Sequence, residues 1–383
     1  MEDDSRRQWE ALVSGQLKSP DIYSILKEEN LEGLEIDPVY FASSKEYPMV
    51  ARAEKYLHLV SPYQEQSENE SLLLSHNVEG LAEKNLFVDN RLLAEHILSE
   101  ENRVFSLVDV FTEEGKLDQQ LALELQAKGF ARSLCVDISA FQNAGASIVQ
   151  QLAVALSKAR ELVEAFSSDV LKEIIFKVAV GRNYFFELAK LRALRLVFAE
   201  LCREYGAEPH DCFIFAEPSM RNKTVDESEN NLIRSTYECA AAMLGGADAI
   251  YLGSFQPTER TELSLEVSFK QQLVLSHESL LNVFDDPMAG SFYMGPLTQQ
   301  VAEKTWSAFL EIEEKGGFTA QMIGGQLQRD VYEHALREQQ WLKEGKITLV
   351  GVNLYPSKEL TKELNTPYNP KEIRPVRLSE IYE

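Results

Sequence analysis

Eight short apolar runs, spaced along the chain and separated by segments of helical periodicity, constrain this fold more than any other feature. The runs are Tyr56–Val60, Ser71–Ser75, Asn85–Asp89, Val104–Val110, Ser133–Ser139, Ile174–Val180, Cys212–Glu217 and Ala249–Ser254. Each spans five to seven residues rich in Val, Ile, Leu or Phe, the pattern of strands buried on both faces. Ser147–Ala165, Tyr184–Glu204 and Asn230–Leu244 between them carry the 3.6-residue period. Strands alternating with helices imply right-handed βαβ units and a parallel sheet. Eight units point to an α/β fold of the (β/α)8, TIM-barrel type. The first half is thin: about ten mostly polar residues join the first two runs, short for a crossover helix.

Three regions follow. Residues 1–46 form an amino-terminal arm, with Trp9, Leu12, Val13 and Leu17 at helical spacing, a Ser19-Pro20-Asp21 turn, and an extended Leu31–Tyr40. The arm has too few apolar residues to fold alone and must lie against something larger. Residues 47–315 form the barrel, ending in a helix over Pro296–Glu314. Residues 316–383 give a further helix from about Thr319 to Leu342, a strand-like run Ile347–Val352, and a Pro-rich tail from Tyr355 expected to be extended and peripheral.

Net charge narrows the partners. Lys plus Arg number 38 against 61 Asp plus Glu, a balance of −23 over 383 residues. Such a surface repels phosphate backbones and anionic lipid, which disfavours nucleic acid and membranes. The acidic amino terminus lacks an apolar h-region and no run reaches about 18 apolar residues, so a soluble cytoplasmic protein is expected. Cys135, Cys202, Cys212 and Cys239 show no CxxC spacing and read as reduced core residues.

Chemical motifs are sparse. His58, His76, His96, His210, His277 and His334 are scattered singly, and no HExxH, GxSxG, Walker loop or strand-linked GxGxxG occurs. No metal site is therefore expected. Asp109, Asp137 and Glu217 fall in or at the ends of the fourth, fifth and seventh runs, where barrel active sites lie; they either act chemically or pair with Lys177 and Arg221. Asp285-Asp286-Pro287 reads as a turn, and Gly245-Gly246 as a helix C-cap. Arg182, Lys190, Arg192 and Arg195 form a basic stripe that either binds a phosphate or faces solvent or a partner.

Five segments in order resemble the barrel chains of methylmalonyl-CoA mutase. They are Phe141-Gln142-Asn143-Ala144-Gly145-Ala146, Asn183 to Ala193, Asn230-Asn231-Leu232-Ile233-Arg234-Ser235-Thr236, Leu244-Gly245-Gly246-Ala247-Asp248, and Asp286-Pro287-Met288-Ala289-Gly290-Ser291-Phe292-Tyr293. Val350-Gly351-Val352-Asn353 continues the match, and the arm, with Trp9, Asp21-Ile22-Tyr23, Leu31-Glu32-Gly33-Leu34 and Pro38-Val39-Tyr40, resembles the family's small β-type chain. In that family the arm wraps a partner subunit.

The resemblance implies a non-catalytic small subunit in a heterodimer. Its large-subunit partner would carry adenosylcobalamin and interconvert methylmalonyl-CoA and succinyl-CoA. Ser139 and Ala140 stand where the active chain has Tyr-His, and Tyr251-Leu252-Gly253 where it has His-Thr-Asn. The cobalt-ligating Asp-x-His-x-x-Gly is missing; His76 to Gly80, with Leu74 in place of Asp, is the near miss. No catalytic, cofactor-binding or metal-binding residue is therefore assigned, and no cofactor is expected on this chain. Phe213 with Phe215, and Leu134, Val136 and Ile138, would fill the bore if those faces point inward. Two rivals stand beside this reading. One is a catalytic acyl-CoA mutase chain borrowing cobalamin from a separate protein; the other is a stand-alone homodimeric interaction protein.

Overall fold

The computed structural model describes residues 2–42, 45–62, 69–76, 78, 81–96, 102–208, 211–356 and 367–382. The arm opens with helices α1 (Glu2–Leu17) and α2 (Ile22–Leu26). There follow β1 (His58–Pro62), β2 (Ser71–Leu74), β3 (Asn85–Val88), α3 (Arg91–His96), β4 (Arg103–Ser106) and α4 (Gln119–Gln126). The second half holds β5 (Leu134–Asp137), α5 (Ser139–Ala144), α6 (Ile148–Phe166), β6 (Ile174–Val180), α7 (Tyr184–Glu204), β7 (Phe213–Pro218), α8 (Asn230–Leu244) and β8 (Ala249–Tyr251). Helices α9 (Glu262–Leu273), α10 (Met294–Glu314), α11 (Gly317–Ile323) and α12 (Gln326–Lys343) complete the chain.

Each of the eight apolar runs overlaps a strand, and every ladder between these strands is parallel, in the order β4-β3-β2-β1-β8-β7-β6-β5. Two isolated parallel bridges, Phe105 with Arg132 and Asp109 with Cys135, close β4 onto β5. The sheet is thus a (β/α)8 barrel whose seam lies between β4 and β5. Helix α6 begins at a Ser147 capping box with Gln150, and α7 at Asn183, whose side chain accepts from the Phe186 N–H. Their apolar faces bury Leu152, Leu156, Leu162, Leu188, Leu191 and Phe198 against the outside of the strands.

Alternation assigns the two faces of each strand. Leu134, Val136 and Ile138 join the outer, helix-facing core. The fifth strand therefore points Cys135 and Asp137 inward, contrary to the expectation that its leucine face fills the bore. Phe213 and Phe215 do point inward, with Val60, Phe87, Phe105, Leu107, Ile175, Ala249 and Tyr251.

Several extensions differ from the sequence reading. The helix expected from Thr319 to Leu342 is two helices, α11 and α12, broken at Gly324-Gly325, where Gly325 has φ +71°. Ile347–Val352 adopts turns with a lone Val350–Leu354 bridge rather than a strand. The described end of the tail is not peripheral: Val376, Leu378 and Ile381 are buried, and the Val376 and Leu378 N–H groups donate to the carbonyls of Asn143 and Arg221. Residues 357–366 of that tail lie outside the described residues.

The arm divides in two. Its later part lies on this chain's own barrel, with Leu34 and Ile36 in the outer core and Gln300 of α10 exchanging two hydrogen bonds with Glu35. None of the described side chains of α1 is buried, and Leu12 and Ile25 are exposed.

Candidate functional site

The carboxyl end of the strands gathers the residues with chemical potential. Alternation aims Asp137 of β5, Lys177 of β6, Glu217 of β7 and Tyr251 of β8 into the mouth. Lys177 Nζ lies 3.1 Å from Asp137 Oδ2 and 3.7 Å from Glu217 Oε2. Asp137 also accepts from the Ser139 N–H at 2.7 Å. Asp109, just past β4, accepts from Lys158 Nζ at 2.6 Å, and the same ammonium donates to the Asp137 carbonyl at 2.9 Å. All three carboxylates singled out in the sequence thus meet on one rim. Arg221 does not join them; it pairs with Glu338 of α12 at 2.9 Å.

Burial and charge act against each other there. Burial raises the Glu217 carboxyl, with Lys177 opposing. Burial also pushes Asp137 up, but Lys177, the Ser139 contacts and Lys158 outweigh it and hold that carboxyl below its ordinary range. Burial raises Asp109 despite Lys158. Lys177 itself is disfavoured by burial, yet Glu217 and Asp137 more than restore its charge. The rim sets two ammonium groups, Lys158 and Lys177, against three carboxylates, with Lys177 between Asp137 and Glu217.

Below the rim the bore is filled. Phe87, Phe105, Phe213 and Phe215 are each 0–1% exposed, so no water-filled passage runs past them. Phe87 stacks on Phe105 at 4.7 Å and meets Phe215 at 5.4 Å; Phe105 meets Phe213 at 5.2 Å. His58 closes the amino end against Phe87, Phe105 and Phe213, with Nδ1 3.1 Å from Ser71 Oγ. Outside it Glu54 holds Arg103, which lies over the Phe105 ring. Sequence reading missed His58, Phe87, Phe105 and Tyr251 as plug residues. Their alternation within short runs was the available signal, but it leaves open which face is inside.

The basic stripe takes neither of its expected roles. Lys190 is wholly buried, donating to the Ala179 carbonyl at 2.6 Å and pairing with Glu187. Arg192 pairs with buried Asp286, and Arg195 with Asp248 and the carbonyls of Cys212 and Gly246. Only Arg182, 3.8 Å from Glu338, is partly exposed. Asp286 is the turn residue expected, accepting from the Met288 N–H, and it also takes the Val50 N–H.

Two of the histidines, His58 and His334, are buried. His58 is walled in by the bore rings, and His334 Nδ1 donates to the Gly145 carbonyl at 2.6 Å. His210 and the side chain of His96 lie outside the described residues. Among the described residues no three His, Cys, Asp or Glu side chains gather as metal ligands, and all four cysteines are free and buried. No helix among them is long and apolar enough to cross a membrane.

Comparison with known proteins adds the lineage. The family profile described as Methylmalonyl-CoA mutase matches residues 125–383. A methylmalonyl-CoA mutase of Rhizobium meliloti is 32% identical over 246 residues, covering 61% of this chain and 35% of its own length. A methylmalonyl-CoA mutase small subunit of Porphyromonas gingivalis is 32% identical over 238 residues, covering 59% and 38%. A probable small subunit of Mycobacterium bovis is 30% identical over 243 residues, covering 59% and 39%. The alignments thus span little more than a third of the length of these relatives.

Proposed function

Because the chain belongs to the methylmalonyl-CoA mutase family, we propose that it is the non-catalytic small-subunit partner in a heterodimeric, adenosylcobalamin-dependent mutase of the cytoplasm. The observation that carries this is the bore packed with Phe87, Phe105, Phe213 and Phe215. An extended thioester arm needs an open axis, and four fully buried rings leave it none. The rim supports the same reading. Lys158, Lys177 and Lys223 are each matched by a carboxylate of this chain, respectively Asp109, Asp137 and Glu238, so none of these ammonium groups is left to meet an anionic substrate.

Ser139 adds to it. It is buried and its N–H serves Asp137, while Ala140 has no polar group to offer. Polarising a carbonyl needs a donor aimed at the developing charge; Ala140 has none, and the Ser139 hydroxyl is engaged by the Asp137 and Glu217 carboxylates. Of the described histidines, His58 and His334 are buried and enclosed by this chain, and adenosylcobalamin is assigned to the large subunit. The contribution of this chain is then an interface, with helix α1 of the arm, none of whose described side chains is buried, as its foremost element.

Purification of the tagged full chain from native lysate tests this, with mass spectrometry and a corrinoid absorbance spectrum on the eluate. A larger mutase chain in equal amount, carrying the corrinoid and the isomerase activity, is the expected result. Saturable acyl-CoA binding to the isolated chain would overturn it.

A further inference from the structure

One outer face of the barrel carries apolar side chains that the described residues of this chain leave open. On α8, Ile233 and Tyr237 stand one turn apart and both are exposed, Tyr237 to 65%. Helix α9 is tied to α8 by Gln271, whose Nε2 donates to the Leu232 carbonyl and to Thr236 Oγ1, both at 2.7 Å. The residues of α9 that are fully buried are Ser264, Ser268 and Gln272, while its Leu263 is 67% exposed. A helix that served this chain's core alone would bury its leucines before its serines.

The face continues across the turn that follows α12. Arg234 of α8 donates to the Val350 carbonyl at 2.7 Å, and Val350 and Leu354, joined by an isolated bridge, are both exposed. The arm meets the same turn. Leu31 packs with Ile347, Leu349 and Val352, and Glu29 lies 3.5 Å from Lys346. Acid rings this surface. Glu229 at the start of α8, and Glu259 and Glu262 at the start of α9, are exposed and make no ion pair among the described residues; the Glu227 carboxylate lies against Gly351. Of the exposed cations there, Lys270 is held by Glu266 at 2.5 Å, which leaves Arg260 against them.

We propose that this face, from Val350 across Ile233 and Tyr237 to Leu263, docks the larger mutase chain, through a surface of that chain with apolar side chains at its centre and Lys or Arg at its rim. The inference rests on the small-subunit reading and adds to it where on the barrel the partner sits. Two observations choose the occupant. The face adjoins the arm, the element already assigned to the interface, through Leu31 and Glu29. Its charge disfavours a second copy, because a two-fold axis through the face would set one acidic rim against an identical one, whereas a basic rim pairs with it. Exposed apolar patches with polar rims mark protein contacts, and tyrosine is among the residue types that carry interface affinity.

The tagged full chain recovered from native lysate tests this, with the larger mutase chain identified and quantified by mass spectrometry. Ile233→Gln combined with Tyr237→Gln removes apolar surface without adding charge. Leu263→Gln, on the neighbouring helix, is the second variant should the first melt below the parent. At unchanged melting temperature, at least tenfold less of the larger chain retained by the variant is the expected result. Capture by the parent should also weaken as salt rises, and Glu229→Gln with Glu262→Gln should flatten that dependence. Equal capture by the Gln variants overturns the face and leaves the small-subunit reading in place. A parent eluate without a larger mutase chain is the failure of that reading itself, seen before any variant is made, and it removes this occupant too. A dimer of the isolated parent in light scattering that the Ile233→Gln, Tyr237→Gln variant converts to monomer would overturn the choice of partner.

Discussion

The two halves of the barrel reach the same topology with different means. Strands β5 to β8 are interleaved with α6, α7 and α8, of 19, 21 and 15 residues, and each helix lays an apolar face on the sheet. Among the described residues, strands β1 to β4 are accompanied by α3 and α4, of six and eight residues, with α9 from the far end of the chain packed on β1. Parallel strands need cover on both faces. The thin half takes part of its outer cover from α9 and fixes its inner face with Phe87 and Phe105. The plug is therefore more than an obstruction to a ligand. It is the packing by which a poorly clad half-barrel is held to a well-clad one.

The largest test of this comparison is Phe105→Ala. Removing a fully buried ring that touches Phe87, Phe213 and His58 should cost about 3–5 kcal/mol in urea unfolding. If the plug joins the halves, the transition stays single and shifts to lower urea. Two separated transitions would show that the halves stand independently. A double cycle with Phe213→Ala then isolates the cross-axis contact, expected at about 0.5–1.5 kcal/mol.

Acid should act first on the thin half. His58, whose Nε2 lies 3.7 Å from Glu54 Oε2, holds the Glu54 carboxyl down at about 2, with burial opposing and Arg103 adding to the stabilisation. A depressed carboxyl contributes stability above its unfolded value of 4.5, and this is lost as pH falls through its folded value near 2. Amide exchange measured between pH 4.5 and 2 should therefore rise in β1 and β4 before it rises in β6 and β7. Equal protection across all strands would break the comparison.

The smallest effects come from the helix caps. Ser147→Ala removes the capping box of α6, and Asp118→Ala the cap of α4, where Asp118 accepts from the Leu121 N–H and from Arg91. Each should lower stability by about 1 kcal/mol. The local exchange response should be wider for Asp118, since α4 has two turns and α6 more than five.

How much of this was legible in the sequence follows the same divide. The second half announced itself because its helices carry long periodic faces, and Asn183 and Ser147 sit where caps belong. The thin half offered strands with little helix between them, so part of its cover had to come from residues distant in the chain, as with α9 on β1. Inward parity was unreadable for a different reason: strands buried on both faces lose the polar alternation that marks inside from outside, so Leu134 and Cys135 look equally suited to either. The basic stripe misled because its partners, Asp286 for Arg192 and Asp248 for Arg195, lie 94 and 53 residues away. The Glu32 to Ile148 contact, 116 residues apart, had no local signal at all.

The seam between β4 and β5 gives the barrel a preferred line of compliance. Elsewhere neighbouring strands are stitched by register-matched ladders, but here two isolated bridges carry the closure. Mechanically the structure is a split ring rather than a hoop. A torque applied at the rim is absorbed by a small opening of that slit, while the curvature of the other staves is preserved. The polypeptide crosses the slit once, between Ser106 and Leu134, so that connection acts as the hinge pin. Deformation is thereby steered to one side of the molecule, and the packed axis moves with the staves instead of being torn across.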